Sequence, residues 1–209
     1  MSKQLPEKFY NWAYGTRANT VKKIAAGEEV SHDKLFLSFT THNPTFISNG
    51  PAGLNGSIKG IGFLPKEEYI PEILEAFQQH ISKGWSDTYS NEGLNVLLKY
   101  VYGEDSKKYI DFTKLTSLEM AKKHSWENYK ADSNITLLFY QPPAISFEVR
   151  GTIEIHEGDI YQKYVNASHD IYHKPDPSRW DSRPAYIINI AEIYDNSVGP
   201  NAFGQKLDY

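Results

Sequence analysis

The sequence contains no cysteine among its 209 residues. Disulfide bonds, thiolate nucleophiles and cysteine-ligated metal sites are therefore excluded. It also has no run of about 18 consecutive apolar residues, so no transmembrane helix is expected. The first residues show no apolar segment typical of a signal peptide. These absences together lead us to expect a cytoplasmic protein with no membrane partner.

Motifs of several common enzyme classes are missing as well. The chain has no G-x-S-x-G of a serine hydrolase, and the glycines of residues 50–62 do not fit the G-x-G-x-x-G spacing of a dinucleotide-binding fold. A net charge of −4 lacks the positive balance that general nucleic-acid binding requires. We expect no nucleic-acid partner, and the sequence identifies no catalytic residue.

Aromatic residues are abundant, at 14% of the chain, and fifteen of them are tyrosine. A tyrosine combines a flat apolar body with one polar tip, which suits pockets and subunit interfaces as well as cores. The length fits a single domain with a sizeable core. We therefore predict one domain over residues 1–209.

Hydrophobic periodicity predicts a mixture of short strands and helices. The predicted strands cover residues 35–40, 58–64, 109–113, 135–141, 145–155 and 184–193. The predicted helices cover residues 17–26, 71–83, 92–102 and 159–173, with another that begins near Thr116. Residues 42–57 are predicted to be a turn-rich loop. The Pro142-Pro143 connection is too short for a parallel crossover, so we expect an α+β fold with an antiparallel, curled sheet surrounded by helices.

The strand of residues 145–155 alternates almost perfectly between apolar and polar residues. Its apolar positions predict a buried face, and its polar face carries Arg150 in the middle. An arginine on such a face either serves a ligand or pairs with Glu148 or Glu154 on an exposed surface, and the pattern alone does not separate the two.

Residues 109–141 hold the segment most suggestive of a ligand. Thr116 and Glu119 fit a capping box, which predicts that a strand enters a helix N-terminus through a loop rich in hydroxyl groups. Free backbone N–H groups, hydroxyls and the nearby Lys122 and Lys123 are the parts of a phosphate site. The alternative is a simple helix cap beside solvated lysines.

This segment resembles the pyridoxamine 5′-phosphate oxidase-like family of FMN-binding split barrels. The resemblance rests on Phe112-Thr113, Ser117, Lys122-Lys123 and the strands ITLLFY and SFEVRGTIEI. It implies that Thr113, Ser117 and one of the two lysines hold the FMN phosphate. In the family an arginine on an earlier strand often assists, whereas residues 56–64 offer only Lys59. It further implies an antiparallel split β-barrel, with residues 68–105 as a helical insertion.

The resemblance also implies a function. It suggests an FMN-dependent oxidoreductase of the pyridoxamine-phosphate-oxidase-like group, active on a small molecule and assembled as a homodimer. Arg150 would then face the flavin ring, where a cation stabilises negative charge on the reduced cofactor. Pyridoxamine phosphate itself is not implied as the substrate.

Two further groups of residues invite a ligand interpretation. Arg179, Trp180 and Arg183 combine flat cations with an aromatic ring, which suits a flavin, a nucleotide or a phosphorylated substrate, and equally a subunit interface. His169 and His173 have the i, i+4 spacing of metal ligands, but no zincin motif surrounds them. We interpret this pair as structural and predict no metal site.

Two other functions remain open. One is a carrier or sensor that binds a flavin, a haem or another flat ligand without turnover, and the other is a cofactor-less interaction protein on the same fold. Convergence of Ser117 and Lys122 or Lys123 with an arginine would favour cofactor binding. Lysines that point into solvent, beside a crevice filled by Trp126 or tyrosines, would favour the interaction protein.

Overall fold

The computed structural model describes residues 4–209. Residues 1–3, the start of the segment that shows no signal-peptide pattern, lie outside the described part. Its eight strands are β1 (Thr45–Ser48), β2 (Asn55–Ile58), β3 (Ile61–Pro65), β4 (Ile110–Leu118), β5 (Asn134–Gln141), β6 (Ile145–His156), β7 (Ala185–Asp195) and β8 (Gln205–Lys206). They form one sheet in the order β2-β1-β5-β6-β7-β4-β3, with β8 paired to β7. Every pairing is antiparallel.

The connection between β2 and β3 shows that this sheet is curled. These strands stand at opposite ends of the order, yet only Lys59 and Gly60 separate them in the chain. So short a connection spans about 11 Å at most, whereas the ends of a flat sheet of this size would lie about 29 Å apart at the usual strand spacing. Among the described strands β2 and β3 are not paired, so the barrel remains open. The predicted α+β class with an antiparallel split β-barrel is confirmed.

An irregularity in β7 lies at the middle of the barrel wall. Arg150 of β6 pairs with Glu192 and Gly151 pairs with Ile190, so Ala191 is an extra residue on β7. A side chain at Gly151 is excluded, because its Cβ would lie 2.0 Å from the carbonyl oxygen of Asn189. Such bulges bend a strand and redirect neighbouring side chains.

Seven α-helices accompany the sheet in the described part of the chain. They are α1 (Glu7–Tyr10), α2 (Thr16–Ala25), α3 (His32–Thr40), α4 (Ile70–Ile81), α5 (Tyr89–Leu97), α6 (His124–Ala131) and α7 (Ile160–Asp170). Short π-helical turns cover Asn11–Gly15 and Leu98–Tyr102, and 3-10 turns cover Glu67–Tyr69, Glu104–Tyr109 and Pro177–Ser182. Within residues 4–209, no helix combines the length and the apolar character needed to cross a membrane.

The buried face of the sheet packs against aromatic side chains from two of these helices. Phe9 of α1 is fully buried, with its ring centroid 5.6 Å from that of Phe139 and 5.2 Å from that of Phe147. At another point of the sheet, Tyr129 of α6 lies edge-on to Tyr186 with centroids 5.2 Å apart. The alternating apolar residues predicted for β6 thus form part of the core.

The region between β3 and β4 is helical, since α4, α5 and the turns around them occupy residues 67–109. Its role as an insertion relative to the family, like the single-domain organisation, stays a prediction. The helix predicted from the apolar stripe of residues 71–83 is confirmed as α4, with Ile73, Leu74 and Phe77 buried.

Four local predictions are wrong. Residues 35–40 lie in helix α3, because a short apolar run does not distinguish a strand from a helix. The segment predicted as one strand at 58–64 is divided between β2 and β3, and the predicted loop of residues 42–57 contains the β1–β2 hairpin.

The fourth error concerns the helix expected to begin near Thr116. Thr116 and Ser117 continue β4, where they pair with β3 on one side and β7 on the other. Two neighbouring strands satisfy the backbone more fully than a helix start would, and the helix begins only at His124.

Candidate functional site

The antiparallel register places polar side chains in rows on the outer face of the barrel. One row crosses four strands and consists of Ile47, Thr136, Arg150 and Glu192. The next row consists of Asn134, Thr152, Asn189 and Lys114. Arg150 therefore stands near the centre of a face that offers hydroxyl, amide and charged groups.

A crevice of about 390 Å³ opens on this face. Its lining includes Asn49, Leu54, Asn134, Thr136, Arg150 and Thr152. Ligand sites in proteins typically measure about 300–1,000 Å³, so the crevice has room for a flat ring system. A second crevice, of about 410 Å³, borders Lys8, Trp12 and Phe147, and it contains none of the predicted site residues.

Arg150 is held on the rim of the first crevice by its neighbours on the sheet. Its Nε–H donates to Oε1 of Glu148 at 2.5 Å, and its guanidinium lies 4.6 Å from the ring centroid of Tyr194. The hydrogen bond with Glu148 raises the pKa of Arg150. The side chain remains 50% exposed, so the guanidinium is fixed in place but accessible.

The charges around Arg150 nearly cancel. Glu192 has an oxygen 3.9 Å from Nη1 of Arg150, and Lys206 donates to the other oxygen of Glu192 at 2.5 Å. Glu192, Glu148 and Asp132 are the three carboxylates of this site, and Arg150 and Lys206 are its two cations. Such a balance suits a neutral or weakly acidic ring better than a ligand that carries several negative charges.

The β1–β2 loop forms one wall of the crevice, and the buried Asn128 of α6 holds it. Asn128 Oδ1 accepts the backbone N–H of Ala52 at 2.9 Å, and its Nδ2 donates to the carbonyl of Gly53 at 2.7 Å and to Ser48 Oγ at 3.2 Å. A Cβ at Gly50 would lie 2.9 Å from Asn128 Oδ1, so the loop and the helix are in close contact.

The residues predicted to bind phosphate do not converge. Thr113 donates to Oδ1 of Asp111 at 2.6 Å, and Ser117 is buried and donates to the carbonyl of Gly60 at 2.8 Å. Lys122 donates to Glu157 at 3.3 Å and lies 5.0 Å from the ring centroid of Trp126. Lys123 is exposed at the residue before α6.

Arg183 lies elsewhere, in a buried cluster around Asp170 of α7. Asp170 accepts the Trp180 Nε1–H at 2.8 Å, the backbone N–H of Asp176 at 3.0 Å and a long contact of 3.4 Å from Arg183. Burial raises the pKa of Asp170, but the hydrogen bonds from His169 and Trp180 outweigh it and hold the pKa below its usual range. The cluster anchors the loop of residues 174–184 to α7.

His169 of α7 and His173, three residues beyond the end of that helix, have tilted rings with centroids 4.7 Å apart, and His169 contacts the carboxylate of Asp170. No group of three or more metal-ligating side chains occurs among residues 4–209. The predicted absence of a metal site stays a prediction.

The buried contacts of two further groups in this part of the fold are not evident from the sequence. One is Asn128, whose contacts with the β1–β2 loop depend on a packing that no local pattern reveals. The other is Glu119, which is 2% exposed and accepts hydrogen bonds from Lys59 and Tyr186. The capping-box pattern did mark Glu119 as an acceptor of backbone N–H groups, and the structure shows that it bonds to a loop.

No family model matches the chain, and no curated protein matches it. Among solved structures, HupZ of Group A Streptococcus has 12% identity and a TM-score of 0.46, and the match covers 83% of this chain and 99% of that one. A Clostridium acetobutylicum protein related to general stress protein 26, of the pyridoxinephosphate oxidase family, has 13% identity and a TM-score of 0.43, covering 79% and 87% of the two chains. An F420 reductase has 14% identity and a TM-score of 0.38, covering 73% and 88%.

One of these structures is described as a member of the pyridoxinephosphate oxidase family, which is said of that protein and not of this chain. Identities of this size concern the fold alone, and TM-scores under 0.5 carry no argument about ligand, reaction or site residues. The assignment of a site in this chain therefore rests on its own geometry.

Proposed function

We propose that this protein binds the ring of a flavin, or of a similar flat ligand, in the crevice on the outer face of β1, β5 and β6. One observation supports this most directly: the accessible Arg150 stands beside Thr136 and Thr152 at a crevice of about 390 Å³. An arginine and a few polar groups in a cleft are the usual means of orienting a ring ligand.

The side chains of this protein suit the ring of FMN better than they suit its phosphate. The near-neutral crevice suits the ring, with Arg150 beside the edge that gains charge on reduction. Thr113, Ser117, Lys122 and Lys123 each have other partners or point outward, so they form no common phosphate cradle. Their role as phosphate ligands remains a proposal that the side-chain geometry does not favour.

The finer parts of the proposal concern activity and assembly. A bound flavin would supply the redox chemistry, and the protein would act as a cytoplasmic oxidoreductase on a small molecule. We also propose a homodimer, because an outer apolar patch lies beside the crevice. The patch consists of Phe36, Leu37 and Phe39 of α3, Leu138 and Tyr140 of β5 and Ile58 of β2, all exposed. Exposed patches of this kind often mark subunit interfaces.

The first experiment is a visible absorbance spectrum of the freshly purified protein, followed by titration with FMN, riboflavin and haem. We expect flavin bands, or saturable flavin binding to the colourless protein. A protein that stays colourless and binds none of the three ligands contradicts the proposal.

Arg150→Met tests the location of the site, because it removes the charge and keeps an apolar stem. We expect flavin affinity to fall at least about tenfold, which corresponds to one good charge-assisted contact. The matched control is Arg179→Met, since Arg179 is an exposed arginine in the loop of residues 174–184. Loss of binding in the control and not in Arg150→Met would place the site in that loop.

A second candidate function is that of a cofactor-less interaction protein. The specific observation in its favour is that the expected phosphate loop is satisfied by the chain's own groups, as Lys122 pairs with Glu157 and covers the ring of Trp126. In that case the outer apolar patch would serve a partner protein. Absence of ligand binding together with a stable complex at this patch would favour this second function.

A further inference from the structure

Four hydrogen-bond donors converge between β4 and α6. They belong to the side chains of Lys59 and Tyr186 and to the backbone N–H groups of Ala121 and Lys122. Lys59 comes from the β2–β3 connection and Tyr186 from β7, so three separate parts of the chain supply the set. All four donate to a single carboxylate, that of Glu119, which is 2% exposed.

The geometry around Glu119 is that of a complete anion site. Its Oε2 accepts Lys59 Nζ at 2.9 Å and the Tyr186 hydroxyl at 2.7 Å. Its Oε1 accepts the N–H groups of Ala121 and Lys122, each at 2.7 Å. Successive backbone N–H groups with a lysine are a common way to bind phosphate or carboxylate oxygens.

The backbone of the loop is shaped around this anion. Lys122 has φ of +48°, a left-handed conformation that residues other than glycine seldom adopt. A left-handed residue beside a right-handed one turns consecutive N–H groups toward one point, which forms an anion-binding concavity. In this loop the N–H groups of Ala121 and Lys122 both donate to Oε1 of Glu119.

We propose that this donor set is a binding site for a small oxyanion, a carboxylate or a phosphate, and that Glu119 of the chain itself occupies it. The unaltered protein then binds no external anion at the β4–α6 loop, because Glu119 occupies the donors. A shorter side chain at position 119 leaves these donors free to bind one. The site is separate from the outer-face crevice, so this inference does not depend on flavin binding.

Solvent access to the loop makes the proposal testable with small ions. Met120 is 51% exposed, and residues 121–124 are also exposed. An ion that replaces the missing carboxylate of a Glu119→Ala variant has a short path to Lys59. The probes are sodium formate, acetate and phosphate, with sodium chloride at the same ionic strength as the reference.

The measurement is the thermal unfolding midpoint of Glu119→Ala in each salt. We expect a lowered midpoint in chloride and a saturable gain in formate, of about 3 °C at ten times the dissociation constant of the ion. Adding Lys59→Met to the variant should abolish the gain. The matched control is Glu127→Ala, because Glu127 is an exposed glutamate of α6 that pairs with Lys130.

Two results would overturn the proposal. One is a saturable gain in phosphate or formate for the unaltered protein, equal to that of Glu119→Ala. The other is a change in the unfolding midpoint of Glu119→Ala, between chloride and the other salts, that equals the change in Glu127→Ala. If Glu119→Ala does not fold in chloride, its refolding yield in formate decides the matter, since recovery supports the proposal and no recovery contradicts it.

Discussion

Depth of burial decides which charged residues of this chain remain available to a ligand. Glu119 and Asp195 are almost fully buried, and each accepts several hydrogen bonds from its own chain. Arg150 is half exposed, and its short hydrogen bond to Glu148 uses one of the five guanidinium N–H donors. Buried charges must be satisfied internally, so only the accessible ones remain as ligand groups.

At the residue scale, the sequence predicted the outward position of Arg150, while its role toward a ligand stays a prediction, and the sequence did not predict the partners of the residues assigned to phosphate. The alternation of β6 places Arg150 outward whatever the rest of the fold does, and its pairing with Glu148 was one of the two expected outcomes. The partners of Ser117 and Lys122 depend instead on Gly60 and Glu157, which are distant in sequence. Spacing along the chain cannot reveal such contacts.

Because His42 in the α3–β1 connection is buried, we expect the protein to lose stability in acid. Burial, with the positive charge of Arg17, lowers the pKa of His42 from 6.5 to about 3. The unfolded chain therefore binds a proton that the folded chain does not, and the free energy of unfolding falls as the pH drops from 6.5 toward 3. Urea unfolding across this range should show a shallower decline for His42→Gln; identical slopes would contradict the assignment.

The close approach of β6 and β7 leaves no room for a side chain at Gly151. In Gly151→Ala the added Cβ meets the carbonyl oxygen of Asn189 at 2.0 Å, and we expect a loss of about 1–3 kcal/mol in urea unfolding. The matched control is Gly56→Ala, whose Cβ would make an ordinary contact of 3.5 Å with Thr45. Equal stability of the two variants would contradict the tight approach of β6 and β7.

At the element scale, the long periodic segments were predictable and the short ones were not. The apolar stripe of α4 and the alternation of β6 are repeated often enough to exclude other interpretations. The run LFLSFT lacks that repetition, and it lies in α3, which contacts β5. The capping-box pattern at Thr116 was overridden by pairing with β3 and β7, a long-range effect.

Because Asn128 of α6 bonds to the β1–β2 loop, we expect this one side chain to keep that wall of the crevice in place. Asn128→Ala leaves the N–H of Ala52 and the carbonyl of Gly53 without their partner. We expect a loss of about 1–3 kcal/mol and faster amide exchange at Ala52. Asn95→Ala, an exposed site on α5, should change neither quantity appreciably, and equal exchange rates in the two variants would refute the role of Asn128.

At the scale of the whole molecule, the sequence indicated an antiparallel sheet but not its order. The Pro142-Pro143 connection identified the β5–β6 pairing, which is local. The position of β7 between β6 and β4, and the pairing of β1 with β5, join residues that are far apart in the chain. The crevice is lined by β1, β5 and β6, so it depends on that strand order and could not be located from the sequence.

The outer apolar patch predicts the assembly of the whole molecule. A charge at Leu138, in the row that links Ile58 with Glu148, would place an unpaired carboxylate in a dimer interface. We expect Leu138→Glu to sediment as a monomer with an unchanged circular dichroism spectrum, and the unaltered protein as a dimer. Trp85→Glu, an exposed site on the α4–α5 connection, should remain dimeric. A monomeric parent protein would contradict this part of the account.

The central claim is that the ligand lies on the outer face of β1, β5 and β6, and a crystal structure of the protein saturated with flavin tests it most directly. The account predicts ring density in the crevice, with Arg150 beside the ring and Thr136 and Thr152 within hydrogen-bond distance. It also predicts that Glu119 keeps its bonds to Lys59 and Tyr186. Ring density elsewhere, or a ligand phosphate among the N–H groups of Ala121 and Lys122, would contradict it.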